Sequence, residues 1–180
     1  DSEGKTIDGI TFYNKPVTVT ATDDRSETST LVPTLNDNAY VLGTEIAENG
    51  KHTVTVTDEA GNESTVTFVI DTEVPTINGL TDGEEINGKT YYKKALNITF
   101  TDNSSAFLDR DANLKATYSY NGGEAVEFNN GGELKNDGTY TVTVTDEAGN
   151  ESTVTFVLDA TVPTITNLET DPEELTKENV

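Results

Sequence analysis

Hydrophobic and polar residues alternate one for one along much of the chain. Thr53 to Thr57 and Thr65 to Ile70 place Val54, Val56, Val66, Phe68 and Ile70 on one side of an extended backbone and threonines on the other. A period of two is that of a strand with one buried face, and both Thr and Val suit a pleated surface. Between these runs, Asp58-Glu59-Ala60-Gly61-Asn62 reads as a hairpin loop, since Asp can accept from its own backbone and Gly can take positive φ. Upstream, Val17, Val19 and Ala21 predict a strand ending at Asp23, and Leu96, Ile98 and Phe100 predict its partner ending at Asp102. Farther on, Ala116, Tyr118 and Tyr120 lead into the turn Asn121-Gly122-Gly123, with Ala125 to Phe128 as the return strand. No segment of useful length carries the 3.6-residue apolar period of a helix, so the pattern predicts an all-β chain.

The pattern is also written twice. Thr53 to Val69 recurs letter for letter as Thr141 to Val157, 88 positions later (141 − 53). Glu3 to Asp23 aligns with Asp82 to Asp102 at an offset of 79 (82 − 3), so the later unit carries nine extra residues (88 − 79). An insertion of that kind is expected in a loop or at an edge, here around Ala106 to Lys115. The segment Asp71 to Leu80 (DTEVPTINGL) returns at Asp159 as DATVPTITNL. Self-similarity of this length predicts a tandem array: repeat 1 over residues 1–70, without its first strand, repeat 2 over 71–158, and the start of a third repeat or a linker over 159–180. A chain cut inside repeats at both ends is expected to be a fragment of something longer. Roughly seven short strands in about 80 to 90 residues per unit is the signature of a two-sheet sandwich.

The Val74-Pro75-Thr76-Ile77 entry, the Asp-ended second strand and the closing run GTYTVTVTDEAGNESTVTFVLD resemble the immunoglobulin-like repeats of bacterial cell-surface proteins and large adhesins, along the whole chain. The resemblance implies tandem immunoglobulin-like β-sandwich domains, an extracellular place on the cell surface, and cell-wall anchoring in the full-length protein. Repeats of this kind serve as stalks, as adhesive tips and as accessory modules of secreted glycoside hydrolases. Asn136 to Val142 has the spacing of the tyrosine corner, with Val142 where antibody domains place a cysteine. His52 falls at the matching place in the first unit and reads as a corner residue. For this class the resemblance also raises a Lys-to-Asn or Lys-to-Asp isopeptide bond, with Lys15 or Lys94 as donor.

Composition narrows the partners. A formal net charge of −22, with 11 basic against 33 acidic residues, argues against nucleic acid, whose phosphates need Lys and Arg to displace counterions. No stretch approaches the roughly 18 apolar residues of a membrane helix, and no membrane insertion is expected. The chain has no Cys, which excludes disulfides and thiolate metal sites. It has no Gln, which excludes a Thr-to-Gln ester cross-link. No Ser, His and Asp set, phosphate-cradling Gly loop or His/Cys cluster is present, so no enzymatic activity is expected. Tyr91, Tyr92, Tyr118, Tyr120 and Phe128 form either a sugar-stacking platform or core and edge packing.

The candidate chemistry is acidic. In the immunoglobulin connectivity, the loops after the second strand and before the last strand share the pole at which the chain enters. That brings Asp71 and Glu73 of the connecting segment toward Asp102 and toward Asp146 with Asn150; Asp23, Asp58 and Asn62 are the first-unit equivalents. Hard cations take six to eight oxygens, and carboxylates gathered at a joint repel one another without one, so a Ca2+ clamp is one reading of these eight residues. The other is that Asp58, Asn62, Asp146 and Asn150 cap their hairpins while Asp71 and Asp159 are solvated linker charges. The expected function is that of a stalk or spacer in an adhesin, its partners being neighbouring repeats of the same polypeptide. The rival is recognition of a host glycan or host protein through the insertion of the second unit. One consequence of the truncated first unit is an open sheet edge, on which the copy of the opening strand after Asp159 in another molecule is expected to dock.

Overall fold

The computed structural model describes residues 3–25, 30–108 and 113–166, and nearly all of its regular structure is β. Residues 109–112 of the expected insertion and 167–180 of the expected third repeat lie outside the described residues. The first unit contains β1 (Lys5–Ile7), β2 (Ile10–Tyr13), β3 (Val17–Thr18), β4 (Val32–Leu35), β5 (Asn38–Ala39), β6 (Glu45–Ile46), β7 (Gly50–Thr57) and β8 (Glu63–Ile70). After a connecting segment come β9 (Thr76–Asn78), β10 (Glu84–Ile86), β11 (Lys89–Tyr92) and β12 (Leu96–Thr101). A single turn of helix, α1 (Ser105–Leu108), precedes β13 (Lys115–Tyr120), β14 (Val126–Glu127), β15 (Gly132–Leu134), β16 (Gly138–Thr145) and β17 (Glu151–Leu158).

Two six-stranded sheets repeat one order, β1-β2-β8-β7-β4-β5 and β10-β11-β17-β16-β13-β14. In each, one parallel pairing, β2 with β8 or β11 with β17, interrupts otherwise antiparallel ladders. Smaller sheets complete the units: β3-β6 in the first and β15-β12-β9 in the second. The long hairpins β7–β8 and β16–β17 are in register over eight residue pairs each. Their alternation works as the sequence suggests. Val54, Phe68 and Ile70 are buried with Val17 and Ile46, and Val142, Val144, Phe156 and Leu158 with Tyr92, Leu96, Ile98, Phe100 and Leu134. On the opposite face the threonines pair across the strands, hydroxyl to hydroxyl, at 2.9 Å for Thr55–Thr65 and 3.0 Å for both Thr141–Thr155 and Thr143–Thr153. Cross-strand Thr pairs are a modest stabilising unit of a sheet.

The corner also forms. Tyr140, 3% exposed, donates its hydroxyl to Asn136 O at 3.0 Å, and His52 places Nε2 2.7 Å from Glu48 O, the same backward reach of four residues. The aromatic residues of the second unit pack on one another: Tyr118 meets Phe128 edge-on and lies beside Tyr140, and Tyr92 meets Phe156 edge-on. Lys94 forms a solvated ion pair with Asp82 at 2.9 Å.

Two features differ from the sequence reading. The strand expected over Val17, Val19 and Ala21 keeps ladder pairing only at Val17–Thr18, whereas β12 runs its full length. The difference is the neighbour: β9 pairs with Thr99, Phe100 and Thr101, and nothing among the described residues pairs with Thr20, Ala21 and Thr22. The nine extra residues are also split. Strand β4 meets β7 as β13 meets β16, and β3 meets β6 as β12 meets β15. These registers put four extra residues before β13 (102 to 115 against 23 to 32) and five between β13 and β15 (118 to 134 against 35 to 46).

Candidate functional site: the acidic joint

The chain leaves β8 and enters the second unit through Asp71 to Pro75. Its departure is fixed by Asn49, whose Oδ1 accepts from Thr72 N at 3.1 Å and from the Thr72 hydroxyl at 3.0 Å. Glu73 N then bonds Asp71 Oδ1 at 3.1 Å. Its arrival is fixed by the β16–β17 hairpin: Asn150 Nδ2 donates to Asp71 O at 2.8 Å, and the Ser152 hydroxyl donates to Pro75 O. Thr76, Ile77 and Asn78 follow as β9, and Gly79 (φ 93) carries the chain so close over β12 that a Cβ there would sit 2.0 Å from Asn97 O. Apolar contact seals the same joint. Phe12 and Val69, on the outer face of the first six-stranded sheet, are fully buried against Ala148, with Phe107 and Leu108 of α1 packed alongside. Part of the insertion is thus built into the joint.

This path brings three of the eight sequence-predicted residues together. Asp71, Asp102 and Asp146 each offer a carboxylate oxygen within 4.8 Å of the others. Asp71 is 1% exposed and Asp146 2%, so Asp71 is not the solvated linker charge of the alternative reading. Asp146 does cap its hairpin, accepting from Gly149 N at 2.7 Å, Asn150 N at 2.8 Å and Asn150 Nδ2 at 2.7 Å. It therefore holds both roles, cap and member of the trio. Asn150 ties the cap to the linker. Glu73 stands apart, its exposed Oε1 accepting from Asn49 Nδ2 at 3.3 Å. In the first unit, Asp58 makes the same cap with Ala60 N, Asn62 N and Asn62 Nδ2, while Asp23 accepts from Arg25 N at 3.0 Å in an exposed loop. No linker residue joins Asp23 and Asp58 among the described residues.

Electrostatics separates the two hairpin aspartates. Hydrogen bonds from the Asn62 side chain and backbone hold the Asp58 carboxyl below the usual carboxylate range. Burial pushes Asp146 up despite its matching bonds from Asn150. Asp71 is pushed up to about 6, by burial first, against the bond from Glu73 N, with the charges of Asp102 and Asp146 adding to the rise. Removing a carboxylate from water disfavours its charged form, and like charges compound the cost. Two buried oxygens, Asn103 Oδ1 and Ser104 Oγ, lack hydrogen-bond partners among the described residues, and they lie beside the Asp71 carboxylate, toward which the Asn103 side chain reaches. Buried polar atoms are nearly always satisfied, and both are oxygens capable of meeting a cation. The donor set, carboxylate, amide and hydroxyl oxygen without nitrogen or sulfur, suits a hard divalent ion.

Sequence reasoning missed Asn49 and its counterpart Asp137. Asp137 Oδ1 accepts from Ala160 N at 2.8 Å and its Oδ2 from the Thr161 hydroxyl, so the segment leaving the second unit is gripped as the segment leaving the first. Both residues precede a glycine at positive φ, Gly50 and Gly138, and lie 88 positions apart (137 − 49). That shared spacing was the available signal.

The chain is thus an all-β protein of repeated sheet units joined through an acidic, partly apolar interface. No family model matches it. It is 30% identical over 170 residues to an outer cell wall protein of Brevibacillus brevis and 30% identical over 163 residues to a serine-rich adhesin for platelets of Staphylococcus aureus. Those matches cover 85% and 81% of this chain but only 16% and 7% of the relatives. Similarity therefore points to cell-wall and surface adhesin proteins, of which this chain spans a small part. Among the described residues no helix is long and apolar enough to cross a membrane.

Proposed function

We propose that this chain is a length of stalk in a cell-wall-associated surface protein, built of immunoglobulin-like repeats in line, whose joint closes on a calcium ion. The observation that carries this reading is the trio Asp71, Asp102 and Asp146, the first and last of them buried and Asp102 half-buried, at the point where one unit enters the next. Three carboxylates held that close without a counter-ion work against folding. A divalent cation turns the same repulsion into a clamp between linker, β12 and the last hairpin. The corner contacts of Tyr140 and His52 and the repeated sheet order support the immunoglobulin-like assignment. The repeated grip of Asn49 and Asp137 supports a spacer, because each unit launches its successor by the same contacts. The packing of Phe107 and Leu108 into the joint favours the spacer over recognition, since that part of the insertion is not offered to a ligand.

Thermal unfolding in EDTA and in about 1 mM Ca2+, a range typical of extracellular calcium modules, tests the clamp. The midpoint rises with calcium in the native chain, loses that rise in Asp102→Asn and Asp146→Asn, and keeps it in Asp58→Asn. The last variant loses an equivalent hairpin cap, so cap loss and ion loss are separated. Coincident curves for the native chain in the two buffers would sink the clamp.

A further inference from the structure

The turn that follows β12 touches the joint at both of its ends. Asp102 opens it, accepting from Ser104 N at 2.9 Å through Oδ2. Two backbone bonds close it, Ala106 N to Asn103 O at 2.9 Å and Phe107 N to Ser104 O at 3.1 Å. At its start stand the Asp102 carboxylate of the acidic trio and two oxygens without hydrogen-bond partners among the described residues, Asn103 Oδ1 and Ser104 Oγ. Ser104 is 1% exposed, and a hydroxyl at that depth is nearly always bonded. The Asn103 side chain also reaches the Asp71 carboxylate. At the far end of the turn, Phe107 and Leu108 pack with Ala148 against Phe12 and Val69 of the first unit.

The turn does not account for its own order. A helix of four residues, Ser105–Leu108, is far too short to hold its shape in water unaided, so its order comes from what its two ends touch. The apolar contacts support one end. The other gathers carboxylates that repel one another and oxygens that lack donors, which works against the turn. A hard cation reverses that sign, because it takes six to eight oxygens and accepts neutral donors beside carboxylates. We infer that the ion of the joint is a latch for the turn over residues 102–108: Asn103 Oδ1 and Ser104 Oγ complete its ligand set, and its binding holds Phe107 and Leu108 against the first unit. This rests on the calcium clamp proposed above and adds what the clamp regulates. The linker keeps bonds of its own, from Asn150 to Asp71 O and from Ser152 to Pro75 O, and β9 keeps its ladder with β12; none of these runs through the turn. Loss of the ion therefore releases the turn and opens the apolar seal while the second unit stays folded, so calcium sets how freely one unit moves against the other.

Calorimetric titration and hydrogen exchange of the full chain test the latch, with calcium the only ligand added. In EDTA the amides of Ala106 and Phe107 exchange at close to the rate of an unstructured peptide while the β16–β17 ladder stays protected, and calcium slows the two turn amides by at least about tenfold. Ser104→Ala, which removes a ligand, weakens calcium binding. Phe107→Ala, which removes no ligand, weakens it too, by about fivefold or more, because coupling between seal and ion is reciprocal. A native chain that binds no calcium overturns the clamp and the latch together. If the native chain binds calcium, but Phe107→Ala and Ser104→Ala bind it equally well or the turn amides exchange at one rate in both buffers, the clamp stands and the latch alone is overturned.

Discussion

Val66 is 47% exposed, whereas Val154, the same residue in the same seventeen-residue sequence, packs against a core. The contrast extends along both hairpins. Asp58 holds its charge easily and Asp146 does not; Ala60 is in solvent and Ala148 is 8% exposed; Val56 is half-buried and Val144 is fully buried. Local sequence cannot cause any of this, because it is identical. The cause is what arrives from outside the hairpin: β9 on one side of the second unit, and the outer face of β2 and β8 at its pole. Strand formation is thus a local property of these residues, while burial, titration and ion affinity are conferred by the neighbour.

The largest expected break in the comparison is in the core. Val144→Ala removes two methyl groups from a site with no exposure and should cost about 2 to 3 kcal/mol, whereas Val56→Ala, beside a groove lined by Val19, Ala21 and Val66, should cost less than about 1. Denaturant unfolding of the two variants checks it. Equal losses would mean that the groove is closed in solution.

Next comes pH, through Asp71. Its carboxyl ordinarily titrates at 3.8 and is pushed up to about 6 in the fold, so between those values the folded chain binds more protons than the unfolded one. Stability from this group therefore falls as pH rises through that window, by an amount on the order of 2 kcal/mol. In EDTA the unfolding midpoint should climb from pH 7 to pH 5 more steeply for the native chain than for Asp71→Asn. Calcium should reverse the order, stabilising the native chain at pH 7 and losing its effect as protons compete below about 6. Parallel pH profiles for the native chain and Asp71→Asn in EDTA would show that the trio is not assembled.

The joint supplies a smaller effect. Ala148→Asp puts a charge between Phe12 and Val69 and should cost about 1 to 3 kcal/mol, while Ala60→Asp, at the equivalent exposed position, should stay within about 0.5. If the two variants unfold alike, the units do not pack on each other through Phe12 and Val69.

The hairpins, their buried faces, the Asp caps and the corner residues Tyr140 and His52 were all legible in the chain, because each is written within a few residues as alternation, a turn or a fixed backward reach. The meeting of Asp71, Asp102 and Asp146 was legible only through an assumed connectivity, since it depends on a linker laid against a hairpin 75 positions away (146 − 71). The short β3 and the split insertion were not legible. Val17, Val19 and Ala21 alternate as well as Leu96, Ile98 and Phe100 do, but a ladder needs a partner, and partnership is not encoded in the strand that lacks one. Phe107 and Leu108 sat in a segment with no periodicity, and their packing became visible only against Val69.

The finest distinction between the hairpins is one hydroxyl. Ser152 donates to Pro75 O, whereas Ser64, its twin, is exposed in the groove. Pro75 has no amide hydrogen of its own, and its buried carbonyl lies just before β9, so the Ser152 bond satisfies an acceptor that water reaches poorly. Ser152→Ala leaves that carbonyl unpaired and should cost about 1 kcal/mol, while Ser64→Ala should change little in the monomer. Hydrogen exchange adds the location: protection at Ile77 and Asn78 should fall in Ser152→Ala, because β9 then frays from its Pro75 end. A loss for Ser152→Ala no larger than that for Ser64→Ala would mean that β9 is held by its ladder with β12 and by Ile77 alone.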